Sequence, residues 1–216
     1  MTTNSTIHIG KTVRTAAYLD WIQMLTGAGL ILFMWTHMIL VASVNFGPEI
    51  MDSIAWFFEY TYMAQVGGPM IGVAFFVHFF AALRKIPFRI DEFLTFWRHS
   101  RMLRHTDTWL WMAQVFTAVI ILIMGSIHMW TVLTDLPITA AKSAARVQHW
   151  SWLFFYLLLL PMVELHVGIG FYRIGVKWGF VGRKTRKPFK TLENILTAFF
   201  ILIGLITIIR FLTLPV

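Results

Sequence analysis

Four histidines lie inside long apolar runs of this 216-residue chain: His37 (MWTHMIL), His78 (FFVHFFA), His128 (GSIHMWT) and His166 (VELHVGI). An imidazole can ligate a metal or carry a proton. Ionisable side chains inside apolar runs are rare and usually functional. A single one is readily explained as a packed ring bonded to a neighbouring helix. One in each of four successive runs is poorly explained that way.

The elements that carry them are five apolar segments, at about 18–44, 66–83, 108–133, 149–172 and 192–212. Each is long enough to cross a hydrocarbon core of about 30 Å. In lipid every backbone group must be satisfied internally, so each run is expected to be a helix. The composition agrees: 58% hydrophobic and 13% charged, where a soluble domain carries about a quarter charged residues. The expected fold is an all-α integral membrane protein of five transmembrane helices. Four of them form a histidine-bearing bundle, and residues 1–216 make one membrane domain with no soluble domain attached. The first 17 residues are polar and lack the features of a cleavable signal peptide, so the first helix is expected to direct insertion.

Charge sets the orientation. Fifteen of the 18 Lys and Arg residues fall in the N-terminal tail (Lys11, Arg14), the loop between the second and third segments, and the loop between the fourth and fifth. The positive-inside rule then puts the N-terminus in the cytoplasm and the C-terminus outside, in a cytoplasmic (inner) membrane. The net charge of +8 is explained by this asymmetry, and no nucleic-acid partner is expected. The chain has no cysteine, which rules out disulfides, Cys-ligated iron–sulfur clusters and covalent C-x-x-C-H haem on this polypeptide.

Depth sharpens the histidine argument. His37 lies 19 residues beyond Tyr18, and His128 lies 20 beyond Thr108. At 1.5 Å per residue both sit roughly 28–30 Å from the cytoplasmic start of their helices. His78 precedes Arg84 by 6 residues and His166 precedes Arg173 by 7, roughly 9–10 Å from the cytoplasmic end. A haem iron ligated by two imidazoles needs both at one level. The sequence supplies two such pairs, His37 with His128 and His78 with His166, and predicts two b haems, one per leaflet. Gly29, Gly72, Gly125, Gly168 and Gly170 lie close enough to let a flat macrocycle approach, although membrane helices favour glycine for packing as well. Arg84, Lys85, Arg173 and Lys177 are candidates for the inner propionates, unless they only mark orientation. His8, His99, His105 and His149 are expected to make surface or partner contacts.

Two carboxylates stand out. Glu164 lies mid-helix, two residues from His166 and one turn after Pro161. A charged, unpaired carboxylate there costs several kcal/mol, so a proton relay is the preferred reading over a hydrogen-bonded carboxyl in the bundle. Glu59 lies in the aromatic outer segment 49–65, with Trp56, Phe57, Phe58, Tyr60 and Tyr62. That segment is either an interfacial belt or the wall of a site for an aromatic ligand. Oxidation of a quinol releases protons, and a base such as Glu59 beside the electron acceptor would take one.

The histidine order, the phrases FMWTHM, GSIHMW, VELH and YRIGVKWG, and the loop RKIPFRIDEFLTFWRHSRMLRHTDTWLW resemble the dihaem cytochrome b subunit of quinol:fumarate reductase over nearly the whole chain. The resemblance implies two b haems: His78 and His166 on the proximal one, His37 and His128 on the distal one. It implies menaquinol as donor, an iron–sulfur subunit on the cytoplasmic face, a flavoprotein subunit where fumarate is reduced to succinate, and a dimer of heterotrimers as an assembly to test. The dicarboxylate site would lie on another chain. By the same resemblance Glu59 takes the quinol proton and Glu164 serves transmembrane proton movement. The alternatives are the anchor of a succinate:quinone oxidoreductase or another respiratory dehydrogenase, a transporter, and a structural anchor. A transporter predicts acidic clusters around the histidines and repeated halves; only Glu164 lies near any of them.

Overall fold

The computed structural model describes residues 4–87 and 89–215, with side chains from residue 14 onward. The tail side chains of His8 and Lys11 lie outside the described residues. Among the described residues eight α-helices follow one another: α1 (Asn4–Ala42), α2 (Pro48–Tyr60), α3 (Met63–Leu83), α4 (Ile90–Leu103), α5 (Thr106–Leu133), α6 (Ala140–Gln148), α7 (Trp150–Lys177) and α8 (Arg186–Thr213). Five of these, α1, α3, α5, α7 and α8, are long and apolar enough to cross a membrane, as the sequence predicts. Among the described residues there is no strand.

The expected segments differ from the helices mainly at their ends. α1 begins at Asn4 rather than near residue 18, and α8 begins at Arg186 rather than near 192. Polar residues at a helix end break the hydropathy signal without breaking the backbone ladder. The expected loops also hold three further helices. α2 starts with Pro48 in its first turn, where the missing N–H costs nothing. α4 has Asp91 and Glu92 in its first turn, where they complement the helix dipole. α6 is capped by the Thr139 hydroxyl, which accepts from Lys142 N–H. Between consecutive elements, Tyr62 (φ 57°) and Arg104 (φ 49°) take left-handed backbone and turn the chain sharply.

The packing order places the functional side chains. α1 packs on α3, α3 on α5, α5 on α7, and α7 back on α1, so four helices make a closed ring. In that ring α1 faces α5 across one diagonal and α3 faces α7 across the other. α8 lies outside the ring against α7 and α1. At the end away from α4, the short helices fold over the bundle. Val44, Met51, Ala140, Ala144, Val147, Ile208, Phe211 and Leu214 form one buried cluster there.

At the basic end two knots of charge tie the helices together. Asp20 of α1 pairs with Arg84, with Lys85 (2.8 Å) and with Lys177 (2.6 Å), joining the ends of α3 and α7 to α1. Asp107 at the start of α5 pairs with Arg186 of α8. Arg186 Nε also donates to the Tyr172 hydroxyl of α7 (2.8 Å).

Glycines let α7 and α8 approach. A methyl group at Gly168 would collide with Thr197 Oγ1 and lie 2.6 Å from Glu193 Oε1, whereas nothing lies within 4 Å of the same position at Gly29. Gly168→Ala is therefore expected to lower stability by about 1–3 kcal/mol, the range for overpacking a tight interface. Gly29→Ala should be neutral or slightly stabilising. Thermal unfolding of the two variants in one detergent measures the difference, and equal midpoints would contradict the packing argument.

Candidate functional site

The four intramembrane histidines occupy two positions in the ring. His37 of α1 and His128 of α5 meet across one diagonal, with ring centroids 6.1 Å apart and planes at 61°. Phe33, one turn before His37, stacks on its ring (5.5 Å). The Tyr156 hydroxyl of α7 lies 3.3 Å from His128 Nδ1, and Arg146 of α6 stands beside that hydroxyl. Arg146 Nη2 in turn donates to Asp135 Oδ2 (2.8 Å) and Lys142 Nζ to Asp135 Oδ1 (3.0 Å). Asp135 lies beyond the end of α5, and the hydrogen bond from Lys142 holds its carboxyl below the usual carboxylate range.

The second position lies towards the basic end. His78 of α3 places Nδ1 3.0 Å from the Gln23 carbonyl and 3.2 Å from Thr26 Oγ1, both of α1. A carbonyl can only accept, so Nδ1 carries the proton and Nε2 is left with its lone pair. Across the other diagonal, His166 of α7 places Nδ1 3.0 Å from Thr117 Oγ1 of α5. His166 lies within electrostatic reach of His78. The Gln114 amide nitrogen stands 3.3 Å from His166 Nε2 and donates to the His166 carbonyl (3.2 Å). An amide nitrogen is a donor only, so it too faces an unprotonated Nε2. The amide oxygen of Gln114 is buried and has no hydrogen-bond partner among the described residues.

Gly27 of α1 faces this position. A Cβ there would sit 2.9 Å from His78 Cε1. It is the glycine that the histidines require, and it is not among the five singled out from the sequence. Gly29 and Gly72 face open space, Gly168 faces α8, and Gly125 faces Phe75. Gly170 alone of those five abuts this site, 3.3 Å from Gln114 Nε2. Residues 27 and 29 are about 200° apart around α1, so the two glycines face different sides of the helix.

The proposed propionate contacts are already engaged. Arg84 and Lys177 both pair with Asp20, a partner that the sequence argument did not weigh. Three cations around one carboxylate leave positive charge to spare. Glu164 is 1% exposed and neither carboxylate oxygen has a hydrogen-bond partner among the described residues. Buried polar atoms are nearly always bonded, so this group is held where only water or a transient partner can serve it. Glu59 Oε1 accepts from the Ile138 N–H (2.5 Å). Glu59 also lines an open cleft of about 620 Å³ with Trp56, Tyr60, Tyr62 and Gln65. Trp56 and Tyr60 stack in its wall (4.9 Å, 17°).

Residues that the sequence reading passed over include Thr26, Thr117, Gln114 and Tyr156. A signal for the two threonines was present. Thr26 precedes His37 by 11 residues, and Thr117 precedes His128 by 11. Eleven residues are close to three turns, so each threonine lies on the same face as the histidine of its helix.

The profile of the Succinate dehydrogenase/Fumarate reductase transmembrane subunit family matches residues 95–207. The fumarate reductase cytochrome b subunit of Wolinella succinogenes is 37% identical over 212 residues, covering 91% of this chain and 82% of the relative. Two fumarate reductase cytochrome b subunits of Helicobacter pylori strains are 35% and 34% identical over 200 residues, each covering 88% of this chain and 78% of the relative. The chain belongs to the family of succinate dehydrogenase/fumarate reductase transmembrane subunits.

Proposed function

We propose that this chain oxidises menaquinol at the end bearing Glu59 and delivers the electrons, through two b haems, to an iron–sulfur and flavoprotein pair that reduces fumarate. The observation that carries the reading is the opposition of His37 and His128 across the bundle. Two metal–imidazole bonds of about 2 Å each, extended by the ring radii, separate the centroids of a bis-imidazole pair by roughly 6 Å. The rings stand at 6.1 Å. At the other position the free Nε2 of His78 and of His166 supplies the donor set, and the flexible Gln114 side chain is the group that would give way. Haems held by these pairs would supply one-electron carriers in each leaflet.

The chain's own residues account for the rest. Trp56, Tyr60 and Tyr62 offer ring faces to a flat quinol head-group. Oxidation of the quinol yields quinone, two electrons and two protons. Glu59, fixed by the Ile138 N–H, stands in the same cleft to accept one proton, and the other leaves to water at the open mouth of the cleft. Glu164, lodged in α7 with no fixed partner, is suited to take up and give back a proton between the leaflets. The basic end, with α4 and the ends of α3 and α7, faces the cytoplasm by the positive-inside rule and is where the iron–sulfur subunit would dock. The same residues would serve the reverse reaction, as the anchor of a succinate:quinone oxidoreductase, and the family description covers both. The fumarate reductase names of the curated relatives favour reduction of fumarate.

Pyridine haemochrome analysis of the purified chain tests the reading. About two b haems per chain are expected, with a flavoprotein and an iron–sulfur protein co-purifying from native membranes. A pure, folded preparation with no Soret band would refute it.

A further inference from the structure

Thr26 and Thr117 are related in a way that haem ligation alone does not require. Each sits 11 residues before a histidine of the far pair, on α1 and α5 respectively. Each reaches across to a histidine of the other pair, His78 or His166. Each also spends its own proton inside its own helix: Thr26 Oγ1 donates to the Ile22 carbonyl (2.6 Å) and Thr117 Oγ1 to the Ala113 carbonyl (2.8 Å). A hydroxyl has one proton. With that proton committed to the carbonyl four residues back, the oxygen can only accept from an imidazole. Thr117 is 2% exposed, so no bulk water competes for it.

We propose that Thr26 and Thr117 are a matched pair of positioning residues that accept from the Nδ1–H of His78 and His166 and lower the redox potential of the haem those rings would hold. The proposal rests on the dihaem reading above. An acceptor on the distal N–H of a ligating imidazole makes the ring more basic, and a more basic ligand favours the oxidised iron. The far pair is built differently. His128 has a phenol, Tyr156, with the cation of Arg146 beside it. Removing the threonine oxygens should therefore act on one haem and spare the other.

The two threonines are not equivalent. His78 keeps the Gln23 carbonyl (3.0 Å) when Thr26 is lost, whereas Thr117 is the acceptor at 3.0 Å from His166 Nδ1. The experiment is redox titration of the haem bands in membranes holding the whole complex, for wild type, Thr26→Val, Thr117→Val, the double variant and Thr117→Ser. The wave of the basic-end haem is assigned by its loss in His166→Ala. The midpoint of that wave should shift upward in Thr117→Val, less in Thr26→Val, and most in the double variant. The far-haem wave should stay in place, and Thr117→Ser should restore the wild-type value. An unmoved basic-end wave in the double variant with both haems retained would overturn the proposal, as would an equal shift of both waves. Wild-type membranes lacking two haem waves would overturn the dihaem reading itself, which is a separate result. Should Thr117→Val fail to assemble, the midpoint in Thr26→Val still decides: no upward shift refutes the pair.

Discussion

His128→Ala is expected to remove about half of the haem and leave the other half with its spectrum unchanged. His37→Ala should give the same half. The two rings meet across the α1/α5 diagonal at 6.1 Å, so either truncation would take away one of the two imidazoles proposed to hold a single haem. His78→Ala and His166→Ala should remove the complementary half. Haemochrome content and low-temperature difference spectra of the four variants provide the check. Loss of the same haem from His37→Ala and His78→Ala would break the pairing, because those rings belong to different diagonals. Electron delivery from quinol to the partner subunits should fall to background in all four variants, since each breaks one of two carriers in series.

The second large effect is expected at Glu59. Glu59→Gln should slow quinol oxidation by roughly 10²- to 10⁴-fold, the usual contribution of a positioned general base, while both haems remain. The substitution is nearly isosteric, and a glutamine carbonyl can still accept from the Ile138 N–H as the carboxylate does (2.5 Å). The fold at that end should persist for this reason. The kinetics separate the roles: a loss of kcat with little change in KM marks a proton acceptor, whereas a change in KM alone marks a binding contact. Unaltered turnover in Glu59→Gln would show that another group takes the proton. Electron transfer from a chemical reductant to the haems serves as the control, because it needs no base in the cleft.

The parts of the fold that hydropathy governs were legible in the sequence. Runs around His37, His78, His128 and His166 had to be helices, because lipid leaves the backbone no alternative. The helices α2, α4 and α6 are short and lie between the apolar runs, so hydropathy shows them only as loops; α2 and α6 pack at the far end of the bundle. Val44, Ala140 and Ala144 are fully buried there, and nothing in their local sequence announces it. The histidines could be found because an imidazole is conspicuous among leucines and phenylalanines. Thr26 and Thr117 are inconspicuous by type, and their role depends on which way the hydroxyl proton points. Pairing by depth agrees with the observed meeting of His37 and His128, because a straight helix converts residue number into height. The angle around each helix was the harder coordinate. Gly27 meets His78 while Gly29, two positions on, faces open space, a difference that residue number alone does not show. Glu59 and Ile138 are 79 residues apart, and no periodicity could join them.

The ring also has a weak stave. In the most apolar stretch of α3, 6% of residues are buried, against 11% for α5, 28% for α1 and 33% for α7, and among the described residues α3 packs mainly on α1 and α5. Its free end is tethered by Arg84 and Lys85 to Asp20. The single carboxylate of Asp20 fastens the ends of both α3 and α7 to α1, so neutralising that one group would loosen two walls of the ring at one point.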